Sequence, residues 1–311
     1  MPTFTEKHAE WTMAMRGDDS RPRNSIHSQI VELVDSAAWY RVVLLARDLA
    51  PKGESATEHL NGPFHRWIDT TFSDSFFIRV RRLAGGTRDS LDGKRGCYSL
   101  LALIRDLRAN RSLLTRGNLL ALDDLPFDLA AADRLLEDTS RKATGWVAIP
   151  SRADVRRSKR RNAEIDQLCG VDEAGRSLTD TVLEEVFTDI EARLASATSD
   201  LNLITDKLVA HASTLESRQR HQKDIETISI TMNDLWSAME CLCRSVAALD
   251  GWLITRMSHA FLPDMRTHHW NGIDFPLVQT HNAPQLKDYW KQLEKEATQW
   301  GSPPEAQIRP Q

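Results

Sequence analysis

The chain has 311 residues, of which 41% are hydrophobic and 27% are charged, so it can bury a substantial core and does not belong to the disordered class. It contains 40 Lys and Arg residues and 44 Asp and Glu residues, and the formal net charge of −4 excludes a uniformly basic nucleic-acid-binding protein. No apolar run approaches the roughly 20 residues that cross a bilayer, and the N-terminal residues contain no apolar segment typical of a secretory signal. The four cysteines are too few and too scattered for a disulfide framework. We therefore expect a cytoplasmic protein without membrane contact.

Helical periodicity dominates the first half of the chain. After an N-terminal arm, expected to be flexible over residues 1–24, apolar residues recur at spacings of three and four. The helices predicted from this pattern cover residues 25–49, 58–83, 99–108 and 127–141. Gly85 and Gly86 fall in a polar loop between two of them. They could cradle a phosphate, but an ordinary connection between helices is the favoured interpretation.

Two long helices are predicted in the second half. One runs from about Thr181 to His211, and the other runs from about Asp224 to His259 with near-heptad apolar spacing. Because both stripes are long and apolar and the connection between them is short, we predict an all-α fold, an antiparallel helical bundle. The helical domain is expected to cover residues 25–260, with a basic linker or insertion over 145–175 and an irregular C-terminal extension over 261–311.

The segment 145–175 contains a dense group of cations, which we call the basic cluster. Its members, six within ten residues, are Arg152, Arg156, Arg157, Lys159, Arg160 and Arg161. They could neutralise several RNA phosphates and give salt-dependent binding. A solvated linker whose cations pair with Glu164, Asp166 and Asp172 is an equally weighted alternative. No aromatic residue lies among the cations, so stacking of RNA bases is not expected there.

Four common motifs are absent from the sequence: the phosphate loops G-x-x-x-x-G-K-(S/T) and G-x-G-x-x-G, the zinc-protease motif H-E-x-x-H and the nucleophile motif G-x-S-x-G. Cys241 and Cys243 are two residues apart on a predicted helix, so they point about 200° away from each other and cannot share a tetrahedral metal. His268 and His269 have no nearby cysteine or carboxylate at ligand spacing. We predict neither a metal site nor a cofactor.

The most informative segment lies towards the end of the first long helix. Residues 204–213 read Ile-Thr-Asp-Lys-Leu-Val-Ala-His-Ala-Ser. On a helix Lys207 and His211 are four residues apart and share a face, and Arg218 would follow on the same face. A histidine flanked by cations suits a phosphodiester. From the residues alone, a histidine on a solvated helix face remains the favoured interpretation.

The stretch Asp206–Ser213 resembles the Arg-(Asp/Asn)-Lys-x-x-Ala-His-(Ser/Asp) signature of the HEPN superfamily. An aromatic-rich segment ending in Arg82-Leu83, the polar loop and the segment Ser99–Ile104 are similar to its abortive-infection U2-like branch. The resemblance implies a helical bundle that forms a homodimer through the His211 end. It also implies a role in phage defence or a toxin–antitoxin system, with a cognate antitoxin or nucleotidyltransferase as partner.

The same resemblance implies roles for individual residues. His211 would accept or donate a proton as the ribose 2′-OH attacks the adjacent phosphorus, and Asp206 would orient the site. Lys207 or Arg218 could add positive charge, which the family motif does not require. Thr205 stands where the family has arginine, and it carries no charge to stabilise the phosphoryl oxygens. The first hypothesis is a metal-independent endoribonuclease toxin. The alternative is a catalytically silent HEPN-like scaffold or a module that binds RNA or a partner.

Overall fold

The computed structural model describes residues 2–17, 25–49, 62–86, 89–91, 98–132, 134, 152–209, 227–254, 261, 284, 288 and 291. Within these residues the regular secondary structure is helical, apart from one isolated antiparallel bridge between Thr115 and Thr181. The predicted all-α class is therefore confirmed. None of the described helices is both long enough and apolar enough to span a membrane. The chain divides into two compact units, residues 1–263 and residues 264–311, and most of the described residues belong to the first.

The helices are numbered in chain order. They are α1 (Phe4–Arg16), α2 (Ile26–Leu49), α3 (Gly62–Ala84), α4 (Leu100–Ala109), α5 (Arg116–Ala121), α6 (Arg152–Cys169), α7 (Glu184–Ile204) and α8 (Met232–Leu253). A π-helical turn, Thr205–Val209, continues α7. Helices α2, α3 and α4 confirm three predicted helices. Residues 129–132 are helical as well, while most of the predicted helix over 127–141 lies outside the described residues.

The segment predicted as a flexible arm and the segment predicted as a basic linker or insertion each contain a helix. The predicted flexible arm contains α1, which a capping box at Thr3 and Glu6 begins and which buries Trp11 completely. The predicted basic linker contains α6, one face of which is buried through Val155, Ile165 and other residues. The sequence did not predict either helix, because their buried faces include charged residues. A search for apolar periodicity counts such residues as exposed.

Helix α7 organises the site because it packs against α3, α4 and α8. Helices α2 and α3 run antiparallel, since Tyr40 stacks on Phe72 while Arg47, further along α2, contacts His65, nearer the start of α3. The residues between these helices form one continuous hydrophobic core. The antiparallel direction of α7 and α8 and the HEPN-specific arrangement of the bundle stay predictions.

A fully buried arginine connects α5 to α6 and to the segment before α7. Arg116 donates hydrogen bonds of 2.9 Å each to Asp166, Asp180 and the side-chain oxygen of Asn162. Arg176 pairs with the same Asp166 at 2.6 Å. Because every charge in this group has a close partner of opposite sign, the group can be buried without an unpaired charge. It holds α6 in a defined position on the bundle.

Protonation of Asp166 is expected to destabilise the fold in acid. Hydrogen bonds from Arg176 and then from Arg116 hold the pKa of Asp166 below its ordinary value, although burial acts in the opposite direction. A carboxyl with a lowered folded pKa contributes stability above its unfolded pKa and loses that contribution as pH falls through the folded value. We expect the free energy of unfolding in urea to fall below about pH 4. In Asp166→Asn this acid-dependent part should shrink, and an unchanged pH profile would contradict the assignment.

Candidate functional site

The predicted motif begins in the π-helical turn at the end of α7. Thr205 has no exposed surface, and its hydroxyl donates to the carbonyl of Leu201, one turn earlier, at 2.6 Å. The hydroxyl is therefore used inside the helix, at the position where the resemblance places the family arginine. An arginine at this position would have to enter the core. π-Helical turns are rare and occur frequently at functional sites.

Asp206, the next residue, lies at the surface and forms an ion pair that the sequence did not indicate. Its Oδ1 accepts from Nε of Arg81 at 2.9 Å, and the two side chains are 44% and 29% exposed. Arg81 belongs to the last turn of α3, which packs against the π-helical turn. The two residues are 125 positions apart, so no spacing rule links them. A guanidinium therefore does lie at the motif, but it comes from another helix.

Lys207 lies in the same π-helical turn and is partly buried. His211 and Arg218 lie outside the described residues. The positions of these two side chains relative to Asp206 and Lys207 therefore stay predictions.

More guanidinium groups lie between the ends of α3 and α4 and helix α7. Arg105 donates to the carbonyl of Gly86 at 2.9 Å, and both Arg105 and Arg108 pair with Glu191 of α7, at 3.5 and 3.0 Å. On its other side, Gly86 faces Arg81, because a Cβ added to Gly86 would be 3.2 Å from each terminal nitrogen of that arginine. Arg81 and Arg105 thus flank one glycine.

The loop at Gly85 and Gly86 is an interhelical connection and not an anion cradle built of amides. The amide of Gly86 donates to the carboxylate of Asp89 at 2.6 Å, and this carboxylate also accepts from the Ser99 hydroxyl at 3.3 Å. Gly85 has a φ of 92°, and a Cβ there would overlap Ser99. The Asp89 carboxylate already accepts from the Gly86 amide and would repel a phosphate at that amide. This supports the interpretation of the loop as an ordinary connection between helices.

The basic cluster forms part of α6, and four of its cations are exposed. They are Arg156, Arg157, Lys159 and Arg160. The Arg157 side chain is 62% exposed and lies 3.5 Å from Asp154. Arg156 and Arg160 are one turn apart, and neither has an ion-pair or hydrogen-bond partner in the part of the chain that the structure describes. We call this surface the α6 cationic face.

Arg161 is different from its neighbours, because it has no exposed surface. It donates to the carbonyl of Trp252 in α8 at 2.5 Å and pairs with Glu164 at 3.3 Å. Burial lowers the pKa of Arg161, whereas Glu164 acts in the opposite direction. A buried guanidinium cannot reach a phosphate on an RNA, so the predicted RNA contact at Arg161 is wrong. Its role is to join α6 to the end of α8.

A groove that sequence reasoning missed lies between α7 and α8, with a volume of about 360 Å³. Its lining includes Arg193 on α7 and Arg244 on α8, and Arg244 pairs with Glu240 at 2.5 Å. Small side chains in both helices leave this space open. Only the packing of the two helices creates the groove, and no local pattern indicates it.

The two cysteines of α8 are half-buried. Burial raises the pKa of Cys241 and raises that of Cys243 to about 11. Both thiols are therefore protonated near neutral pH, which makes them poor nucleophiles and poor metal ligands. Among the described residues, no three His, Cys, Asp or Glu side chains come together in an arrangement that could hold a metal ion.

Together the fold and the site define an all-α protein with an ionic site at the end of a long helix and a separate cationic helix face. No family model matches the chain, and no curated protein or solved structure is significantly similar to it. Membership of the HEPN superfamily therefore rests on the stretch Asp206–Ser213, the aromatic-rich segment that ends in Arg82-Leu83 and the segment Ser99–Ile104, and it stays a proposal.

Proposed function

We propose that this chain is an RNA-directed HEPN-like protein that cleaves RNA without a metal ion, as a toxin in a phage-defence or toxin–antitoxin system. It would act as a homodimer and would be controlled by a cognate antitoxin or nucleotidyltransferase. The observation that carries the proposal is the α6 cationic face, because it presents four exposed cations on a chain whose formal net charge is −4, and two of them, Arg156 and Arg160, have no ion-pair partner among the described residues.

Apart from Asp154, which lies 3.5 Å from Arg157, the acids nearest in sequence pair with groups outside this face. Glu164 pairs with the buried Arg161, and Asp166 pairs with the buried Arg116. Asp172 accepts from a backbone amide in its own turn. Like charges four residues apart on a helix destabilise it by about 0.2–0.5 kcal/mol, and Arg156 and Arg160 have this spacing. A polyanion offsets that repulsion, which favours RNA over the solvated-linker interpretation.

The motif supplies the chemistry that the proposal needs. His211 would take the proton from the attacking 2′-OH or return one to the leaving oxygen, and Asp206 and Lys207 would lie one turn away from it. This reaction requires no metal and ends in a 2′,3′-cyclic phosphate. The π-helical turn at the start of the motif supports a functional role for this helix end.

A catalytically silent HEPN-like scaffold or binding module is the second candidate, and Thr205 favours it. The family arginine is replaced by a side chain that is buried and already hydrogen-bonded to Leu201. Loss of one donor to a developing oxyanion typically slows a reaction about a hundred- to a thousandfold. A protein of this kind would still bind RNA through the α6 cationic face.

Neutralising the α6 cationic face is expected to weaken RNA binding and its salt dependence. In an Arg156→Gln/Arg160→Gln variant, two phosphate contacts are lost, and the slope of log affinity against log salt should fall by about 1.4 for single-stranded RNA. Fluorescence anisotropy of a 5′-labelled RNA over a series of salt concentrations measures this slope. The control is Arg66→Gln/Arg244→Gln, which removes the same charge from exposed positions on α3 and α8. Equal slopes for both variants would contradict a specific role for α6.

Cleavage is tested with a mixed-sequence labelled RNA pool in the presence of EDTA. We expect fragments that end in a 2′,3′-cyclic phosphate. Salt-dependent binding without cleavage would favour the silent binding module. Absence of both binding and cleavage by the wild-type protein would exclude an RNA-directed function.

A further inference from the structure

The orientation of Arg81 is set by one charge-assisted hydrogen bond. Its Nε donates to Asp206 at 2.9 Å, and the side chain is only 29% exposed. Both terminal nitrogens lie against Gly86, which has no side chain to fill the space beside them. Within the described residues neither terminal nitrogen makes a hydrogen bond, so their N–H donors remain available to a ligand. The guanidinium is held at one edge and open at the other.

The motif itself contains no guanidinium group that could bind a phosphate at this surface. Thr205 is buried, and its hydroxyl donates a hydrogen bond to the carbonyl of Leu201. The hydroxyl therefore does not face the surface. Lys207 offers a compact charge with no planar fork, and two-point contact with a phosphate requires such a fork. Arg81 has that fork and already contacts the motif residue Asp206.

We propose that Arg81 is the phosphate-binding arginine of this site, an inference that rests on the proposed RNA-directed function. Its two terminal nitrogens bind the non-bridging oxygens of the RNA phosphodiester, in place of the charge that is missing at Thr205. Asp206 is a positioning residue, because it holds Nε and does not touch the RNA. Arg105, on the other side of Gly86, is already engaged by the Gly86 carbonyl and by Glu191, so Arg81 alone of the two is assigned to the phosphate.

The competing explanation is a purely structural ion pair between α3 and the π-helical turn. Partly exposed pairs of this kind contribute little to stability. A structural pair requires both partners equally, so Arg81→Gln and Asp206→Asn would then have the same small effects. If Arg81 binds the phosphate, loss of its guanidinium should slow cleavage more than loss of the Asp206 carboxylate. The two explanations therefore differ in the ranking of these variants.

The experiment compares Arg81→Gln, Arg81→Lys, Asp206→Asn and the exchanged pair Arg81→Asp/Asp206→Arg. Single-turnover cleavage of the labelled RNA pool in EDTA, RNA affinity and thermal unfolding are measured for each. We expect Arg81→Gln to slow cleavage about a hundred- to a thousandfold. The cleavage rate should fall less in Asp206→Asn than in Arg81→Gln. Arg81→Lys should cleave faster than Arg81→Gln but slower than the wild type. The exchanged pair should cleave slowly, although it retains an ion pair.

Gly86→Ala provides a second test that changes no charge and introduces no positive-φ strain. The added Cβ would crowd both terminal nitrogens of Arg81, so RNA affinity should fall while the unfolding temperature stays near that of the wild type.

If the exchanged pair restores wild-type cleavage, or if Arg81→Gln and Asp206→Asn cleave at equal rates, Arg81 is structural. If the wild type binds RNA without cleaving it, the same ranking must appear in affinity. A wild type that does not bind RNA overturns both proposals, whereas an active wild type with an equally active Arg81→Gln overturns only this one.

Discussion

Replacing His211 with alanine is expected to slow RNA cleavage by about a hundred- to ten-thousandfold, the usual contribution of a general acid–base group. The resemblance assigns proton transfer to this histidine, and the motif contains no second histidine. RNA affinity should change much less, because the α6 cationic face and Arg81 supply the positive charge. Single-turnover cleavage of a labelled RNA pool in EDTA measures the rate.

His211→Gln and His65→Gln complete this test. Glutamine at 211 retains polar contacts but cannot transfer a proton at neutral pH, so it should be as slow as alanine. His65 accepts a hydrogen bond from Arg47 near the start of α3, about 24 Å along the helix from Arg81. Its replacement should leave cleavage unchanged. If His211→Ala cleaves as fast as the wild type, the catalytic hypothesis is wrong and the silent binding module becomes the working explanation.

Replacing Arg116 with leucine is expected to lower the free energy of unfolding by about 3–5 kcal/mol, as is typical when one partner of a buried ion pair is removed. The change leaves Asp166 and Asp180 with most of their surface buried, and Asp180 then lacks its guanidinium partner. Arg176 still pairs with Asp166, so part of the group survives. Urea unfolding followed by circular dichroism measures the difference.

The matched control for Arg116→Leu is Arg157→Leu on α6. Arg157 also has an acidic partner, Asp154, but the pair is longer, at 3.5 Å, and the arginine is largely exposed. Surface changes of this kind usually alter stability by less than about 0.5 kcal/mol. Similar losses in the two variants would show that the buried group does not hold α5 and α6 together.

The helices with regular apolar stripes could be predicted from the sequence, and those with buried charges could not. Helices α2, α3 and α4 lie close to their predicted bounds because their stripes repeat every three to four residues. In α1, Lys7 and Trp11 both bind Asp106 of α4, and in α6 Arg161 is buried against α8. A pattern of hydrophobic and polar residues cannot distinguish a buried, paired charge from a solvated one.

The sequence by itself determined the helical class, the motif around His211 and the presence of a basic cluster, because these are properties of neighbouring residues. Tertiary structure alone decided which charges face the solvent: Arg156 and Arg160 are exposed, whereas Arg161, adjacent in sequence, is buried. It also brought Arg81 to Asp206 across 125 positions. The physical reason is that burial and ion pairing depend on which helices pack together, and that packing involves residues too distant in the chain for any local periodicity to link.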